Sequence, residues 1–124
     1  RFMIYHAALS PPRLIEFMRR LVKDARRKVF LILDNLNVHK AKLVNAWLKE
    51  HADQIRVFFL PPYSPELNPS EYFNGDLKGE VQRGIPPRDA TELKRTVLGY
   101  SRRIQKSPHR VRAYFRNKNI RYAA

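Results

Sequence analysis

Two acidic residues stand at positions where the chain would hold a carboxylate in one place. Asp34 comes directly after the apolar run 29–33, and Glu71 follows closely on a proline-rich turn. Carboxylate oxygens are the ligands that Mg²⁺ prefers in proteins, and one or two of them commonly hold the ion beside a phosphate-bearing substrate. The two residues would form such a site if the fold brings them to the same place.

Two apolar runs predict the strands that position Asp34. The run VFLIL at 29–33 is continuous and contains β-branched residues, which is typical of a strand buried on both faces of a parallel sheet. A second run at 55–60 leads directly into the proline-rich turn. Open α/β sheets bind ligands at the carboxyl ends of their strands. Parallel neighbours would therefore bring Asp34 and the helix that bears Glu71 to one edge of the sheet.

The turn at 61–68, PPYSPELN, predicts where that helix begins. Asn68 has the side chain of an N-cap, and Pro69 falls at the first helical position, where its missing N–H costs nothing. Glu71 is then the third helical residue. Two roles stay open for its carboxylate: a metal ligand, or the acid of a capping box that bonds back to the backbone N–H of Asn68.

Two longer stretches carry a more specific signal: LILDNLNVHKAKLVNAWLKEH from residue 31 and VFFLPPYSPELNPSEYFNGDLKG from residue 57. They resemble the two C-terminal catalytic blocks of DDE transposases, and are most similar to the bacterial insertion-sequence branch of the mariner superfamily. Asp34 matches the second acid of the triad and Glu71 the third, with 36 residues between them. The motif D-N-x-x-x-H is weak by itself, whereas S-P-E-L-N-P-x-E at this distance after it is specific. The tail RVRAYFRNKNIRYAA is also similar to the ends of such transposases.

The resemblance implies an RNase H-like α/β fold, a mixed sheet flanked by helices. It also implies a site in which three carboxylates hold two Mg²⁺ or Mn²⁺ ions that promote in-line displacement at the phosphorus of DNA. Asp34 would bridge or flank the ions and Glu71 would bind one of them, while Asn35 and His39 would lie around them. For His39 the alternative is a structural hydrogen bond that holds the loop after the strand.

The family's first catalytic Asp has no counterpart here. Glu16 and Asp24 are the acids that precede Asp34, and both lie on a predicted helix, whereas the missing acid belongs to an early strand. The sequence is therefore interpreted as a single partial catalytic domain over residues 1–124, truncated at its N-terminal strands. With two of the three acids, it is expected to bind metal weakly and to cleave no DNA alone. Exposed sheet edges would then favour a homodimer.

Charge indicates a polyanionic partner. The formal net charge is +14, and residues 83–124 hold 12 Lys and Arg against 2 Asp and Glu. The expected partner is DNA, both transposon ends and target. A basic helical region at about 88–118 would supply much of the attraction, although a merely solvated basic face is the alternative. The candidate DNA contacts are Lys78, Arg95, Arg102, Arg103, Lys106, Arg110, Arg112 and Arg116.

Two other function classes stay open beside the transposase. One is a non-catalytic DNA-binding or assembly remnant, supported by the basic C-terminal third. The other is a different RNase H-like nuclease such as a junction resolvase, against which the P-P-Y-S-P-E-L-N-P string argues. With no cysteine, disulfides and thiolate zinc sites are excluded. No apolar run approaches the roughly 20 residues of a membrane span. The expected location is the bacterial cytoplasm, in association with the nucleoid.

The remaining segments predict one more strand and four helices beside the one that starts at Pro69. Residues 2–9 alternate weakly and predict a strand, and Ser10 with two prolines starts a helix. Residues 40–51 predict a helix with Leu43, Val44, Trp47 and Leu48 inward. Asp89 and Glu92 predict a capping box for a helix to about 106, and Ser107 with Pro108 starts a last short one.

Overall fold

A computed structural model describes residues 2–5 and 7–123. The chain divides into two compact units, the first comprising Met3–Ser64 and the second beginning at Pro65. The first contains α1 (Pro11–Ala25), β1 (Val29–Leu33), α2 (Lys42–Glu50) and β2 (Ile55–Phe59). The second contains α3 (Pro69–Arg83), α4 (Ala90–Gln105) and α5 (Pro108–Tyr114). Short 3-10 turns occupy Asn37–Lys40, Pro65–Leu67 and Arg121–Ala123.

The first unit is a parallel pair of strands with helices packed on it. β1 and β2 pair in register from Val29 opposite Ile55 to Leu33 opposite Phe59. The core lies between this pair and the two helices, and the residues buried in it are Leu14, Ile15, Met18, Val44, Trp47 and Ile55. The predicted α/β class is thus confirmed: parallel strands flanked by helices, as expected for part of an RNase H-like fold.

The sheet is covered on one face, which corrects the prediction that 29–33 is buried on both. Phe30 is 64% exposed and Ile32 is 38% exposed, and they alternate with the half-buried Val29, Leu31 and Leu33. The same face continues on β2, where the rings of Phe30 and Phe58 lie 6.4 Å apart. An apolar run reveals that both faces of a strand are apolar, but it does not reveal what packs on each.

Two further predictions for the first unit were wrong. Residues 2–5 and 7–9 form no strand, and His6 lies outside the described residues. In the described part of the chain the sheet has two strands, paired with each other, and an extended segment without a hydrogen-bonded neighbour is not a strand. Leu43 was expected inward but is 54% exposed, because the chain makes a 3-10 turn before α2 and the helix buries Val44 and Trp47 instead.

The second unit is helical, and its helix starts were predictable. Asp89 caps α4 by accepting from the backbone N–H of Glu92 at 2.8 Å, and the Glu92 carboxylate accepts from the N–H of Arg88 at 2.9 Å. The predicted capping box therefore forms, although its return bond reaches one residue further back. Tyr100, Ile104 and Ile120 are buried in this unit. Among the described residues, no helix combines the length and apolarity that crossing a bilayer requires.

Candidate active site

Asp34 leaves the sheet at the point where both strands end. One residue past the end of β2, the backbone N–H of Leu60 donates a hydrogen bond to the carbonyl oxygen of Leu33, at 2.8 Å. The backbone on either side of Asp34 is therefore held, on one side by this bond and on the other by the 3-10 turn at Asn37–Lys40. The prediction that a carboxylate sits at the carboxyl end of a parallel strand is confirmed.

His39 reaches back from that turn to Asp34. Its Nδ1 lies 2.9 Å from the backbone carbonyl oxygen of Asp34 and 2.9 Å from Oδ1 of the same residue. The imidazole is 5% exposed. Because a carbonyl oxygen only accepts, Nδ1 carries the proton in this contact. The structural hydrogen bond that the sequence left open for His39 is therefore formed, and it holds the residue that carries the carboxylate.

Two side-chain oxygens in this loop are buried without a hydrogen bond. They are Oδ1 of Asp34 and Oδ1 of Asn35, and no donor among the described residues satisfies either. Nδ1 of His39 lies 2.9 Å from Oδ1 of Asp34 as well, but its proton is directed to the Asp34 carbonyl oxygen. Burying such oxygens unpaired costs free energy, and a hard cation is a partner that removes the cost. The donor chemistry therefore fits a divalent metal ion.

The described residues contain no group of three or more His, Asp or Glu side chains placed to hold a metal ion together. Asp34 and Asn35 would supply part of a coordination shell. Asp34 belongs to the first unit and Glu71 to the second. That the two carboxylates share one ion stays a prediction.

Glu71 lies on the first turn of α3, and its carboxylate is exposed and has no hydrogen bond or ion pair among the described residues. The capping-box alternative does not form. The backbone N–H of Asn68 donates to the carbonyl oxygen of Pro65 at 3.0 Å, so it is not available to Glu71. The Asn68 side chain caps the helix alone, accepting from the N–H of Ser70 at 3.0 Å. The Glu71 carboxylate is left free for another partner.

The candidate DNA contacts fall into two groups. Arg103 forms an ion pair with Glu80, and Arg110 lies 3.6 Å from a carboxylate oxygen of Asp76, so both face the acidic side of α3. The other group is exposed and has no side-chain partner in the described part of the chain; its members are Lys78, Arg95, Arg102, Lys106, Arg112 and Arg116.

A polar network joins the three helices of the second unit, and no sequence motif marks Asp76, Tyr100 and Tyr114 as its members. The hydroxyl of Tyr114 donates to Asp76 at 2.7 Å, and Arg110 donates to the hydroxyl of Tyr100 at 3.2 Å. Burial, followed by the hydrogen bonds to Asp76 and Tyr100, raises the pKa of the Tyr114 phenol far above its usual range. The available signal was the spacing of Asp76 and Glu80, which puts two acids on one face of α3.

Comparison with known proteins agrees with the motifs. Residues 1–94 match the family described as DDE superfamily endonuclease, about three quarters of the 124 residues, and the match includes Asp34 and Glu71. The chain is also similar to the insertion element IS630 uncharacterized 39 kDa protein of Shigella sonnei, with 39% identity over 96 residues. That alignment covers 76% of this chain and 28% of the relative. The chain thus spans little more than a quarter of the relative's length.

Proposed function

Because this chain belongs to the DDE superfamily of endonucleases, we propose that it is part of a transposase from the bacterial insertion-sequence branch of the mariner superfamily. In this proposal residues 1–124 belong to one catalytic domain, and Asp34 and Glu71 are carboxylates of its metal centre. The reaction is metal-dependent cleavage and joining of DNA strands. The observation that carries the proposal is the buried Oδ1 of Asp34 at the end of a parallel strand, where the Nδ1 proton of the adjacent His39 is bonded to the backbone carbonyl instead.

Three residues of the loop after β1 have a task in this scheme. Asp34 presents carboxylate oxygens to the ion, and Asn35 offers the amide oxygen that is also without a donor. His39 keeps the Asp34 backbone in place through its Nδ1 hydrogen bond, and so orients the carboxylate. When bound, Mg²⁺ or Mn²⁺ would polarise the attacking hydroxyl and stabilise the charge on the leaving oxygen.

Glu71 supplies the second carboxylate from a helix start that leaves little freedom. Pro69 fixes the first helical position, and the Asn68 cap fixes the turn before it. Its side chain has no competing partner among the described residues. Because its backbone is already held, this carboxylate loses only side-chain conformational entropy when it binds an ion.

DNA is the proposed partner, and it includes the transposon ends and the target. The six exposed cations without side-chain partners are available to phosphates, and the C-terminal region carries most of the net charge. Contacts of this kind give binding that weakens steeply with salt. A cytoplasmic, nucleoid-associated location and a homodimer complete the proposal.

A metal titration tests the proposal directly. We expect the chain to bind Mn²⁺ weakly. Calorimetry, or the electron paramagnetic resonance signal of free Mn²⁺, measures this binding. Asp34→Asn and Glu71→Gln should each weaken binding by about tenfold or more, since each removes a charged ligand. The matched controls are Asp53→Asn and Glu66→Gln, which change exposed acids of the same two units. Equal affinity in the Asp34 variant and its control would contradict the proposal.

The chain alone is proposed to be insufficient for strand cleavage, because it offers two of the three acids of the family's site. A nicking assay on supercoiled plasmid with Mg²⁺ or Mn²⁺ should leave the plasmid intact. Nicking that is lost in Asp34→Asn would show that two acids suffice.

The second candidate function is non-catalytic DNA binding or assembly, and the free cations of the second unit favour it. It predicts that duplex DNA binds with steep salt dependence in the presence of a chelator. Under this function Asp34→Ala leaves every property of the complex unchanged. Under the transposase proposal, added Mn²⁺ tightens DNA binding by the parent chain and has no such effect on Asp34→Ala.

A further inference from the structure

A cavity of about 300 Å³ lies in the second unit, whereas Asp34 belongs to the first. Its walls are the acidic side of α3 and the facing sides of α4 and α5. Three arginines contribute to it, together with two acids and one tyrosine: Arg83, Arg103, Arg110, Asp76, Glu80 and Tyr100. Formal charges in the lining sum to +1. Three guanidinium groups around one concavity repel each other unless anions lie among them.

The two carboxylates compensate two of the arginines. Glu80 pairs with Arg103, and Asp76 lies 3.6 Å from Arg110, which is longer than a direct charge-assisted hydrogen bond. Arg83 has no ion pair or hydrogen bond among the described residues. Its guanidinium lies back over α3 near Gly79. A Cβ placed on that glycine would be 4.0 Å from Nη2 of Arg83. One positive charge of the cavity is therefore left without an anion.

Tyr100 holds two of the guanidinium groups in place. Its ring is buried, and the guanidinium carbons of Arg103 and Arg110 lie 5.2 Å and 5.7 Å from its centroid. Arg110 also donates to the Tyr100 hydroxyl. A guanidinium has five N–H donors, so these contacts leave several unused on each arginine. Arginines that are already positioned lose less freedom when they bind a planar or tetrahedral oxyanion.

We propose that this cavity is a phosphate-binding site, in which Arg83, Arg103 and Arg110 hold one phosphate group. The assignment of that group to the backbone of a nucleic acid rests on the proposed function, whereas the phosphate site itself does not. The three arginines supply the fork-shaped donors that suit phosphate oxygens, and Arg83 supplies the uncompensated charge. Glu80 and Asp76 act as competitors that occupy part of Arg103 and Arg110 until the anion arrives.

Calorimetric titration of the 124-residue chain with inorganic phosphate, in a chelator and at low salt, tests the site. Arg83→Gln removes no hydrogen bond or ion pair among the described residues, and should weaken binding by about tenfold. Arg19→Gln is the matched control, since Arg19 is also an exposed helical arginine without a side-chain partner among the described residues. Absence of phosphate binding by the parent chain, or equal binding by Arg83→Gln and the parent, would overturn the site.

A second pair of variants tests whether Glu80 competes with phosphate for Arg103. Glu80→Gln removes the competitor of Arg103, so it should tighten phosphate binding several-fold. Glu16→Gln is its control, because Glu16 forms a comparable exposed ion pair with Arg20 in the first unit. Unchanged or weaker binding by Glu80→Gln, in a protein whose circular dichroism is unaltered, would count against the proposal.

Titration with duplex DNA tests whether the site takes a phosphate group of a nucleic acid or only inorganic phosphate. If the group belongs to DNA, Arg83→Gln lowers duplex affinity in the chelator and reduces the slope of log affinity against log salt by about 0.9. An unchanged slope, with inorganic phosphate still dependent on Arg83, would keep the site and overturn its assignment to nucleic acid. Asp34→Asn should bind phosphate as the parent does, so failure of the metal proposal leaves this result intact.

Discussion

Nδ1 of His39 lies at the same distance, 2.9 Å, from the backbone carbonyl oxygen and from Oδ1 of Asp34. A buried imidazole thus holds the backbone of the residue that carries the candidate metal-binding carboxylate. Mutation of His39 should therefore affect both the stability of the first unit and the affinity of Asp34 for metal. The two effects can be measured separately.

His39→Ala is expected to lower the free energy of unfolding by about 2 kcal/mol, because it removes a buried hydrogen bond and leaves a cavity. Urea unfolding followed by the fluorescence of Trp47, a core residue of the same unit, measures this. Mn²⁺ affinity should fall as well, in conditions where the variant is folded. His109→Ala, an exposed histidine of the second unit, should change neither quantity. A His39 variant as stable as that control would contradict the structural role.

The position of Asp34 could be predicted because it depends on signals that are local in the sequence. A short β-branched run that ends in a charge indicates a strand and its carboxyl end. Helix starts at Asn68–Pro69 and Ser107–Pro108 were predictable for the same reason, since cap residue and proline act within one turn. The exposed face of β1 could not be predicted, because it depends on which distant segments pack against Phe30 and Ile32.

Glu71 should contribute little to stability, because its carboxylate does not cap the helix. Glu71→Gln is expected to cost about 0.5 kcal/mol, which is within the range for a favourable charge near a helix N-terminus. Asn68→Ala should cost about 1 kcal/mol, since it removes the acceptor of the Ser70 N–H. Thermal unfolding followed by far-ultraviolet circular dichroism compares the two. If Glu71→Gln destabilises the chain more than Asn68→Ala does, then the carboxylate has a structural partner after all.

The partners of the basic side chains were harder to predict than the strands, because an ion pair depends on which helix faces meet in the folded chain. Arg103 and Arg110 share their residue type and their region with Arg102 and Arg112, yet the first two face acids of α3 and the others have no side-chain partner among the described residues. Helical spacing could separate the faces of α4 and α5, but it could not show which face of α4 meets Glu80 and which face of α5 meets Asp76. The capping box at Asn68 failed similarly, since a competing acceptor at Pro65 satisfies the N–H.

The exposed apolar face of the sheet should promote self-association. In the described residues β1 and β2 form a two-stranded sheet, so each has an unpaired edge, and Phe30, Ile32 and Phe58 are exposed beside it. Lysine on an edge strand opposes pairing with another chain. Phe30→Lys should therefore shift the chain towards monomer in sedimentation velocity. Leu36→Lys, which places the same charge at an exposed leucine outside the strands, is the control. A parent chain that is monomeric at all concentrations would contradict the proposed homodimer.

Alkaline pH should weaken the second unit through Tyr114. Burial and the hydrogen bond to Asp76 raise the pKa of this phenol above its ordinary value of about 10. The folded state therefore keeps the proton at a pH where the unfolded chain has released it, so stability is fully present below about pH 10 and declines as pH rises above it.

Tyr114→Phe should cost at most about 1 kcal/mol at neutral pH, because Asp76 is half exposed. Above pH 10 the stability of the variant should fall less steeply than that of the parent in urea unfolding followed by circular dichroism. Parallel pH profiles for the two proteins would mean that the Tyr114 proton is not linked to folding.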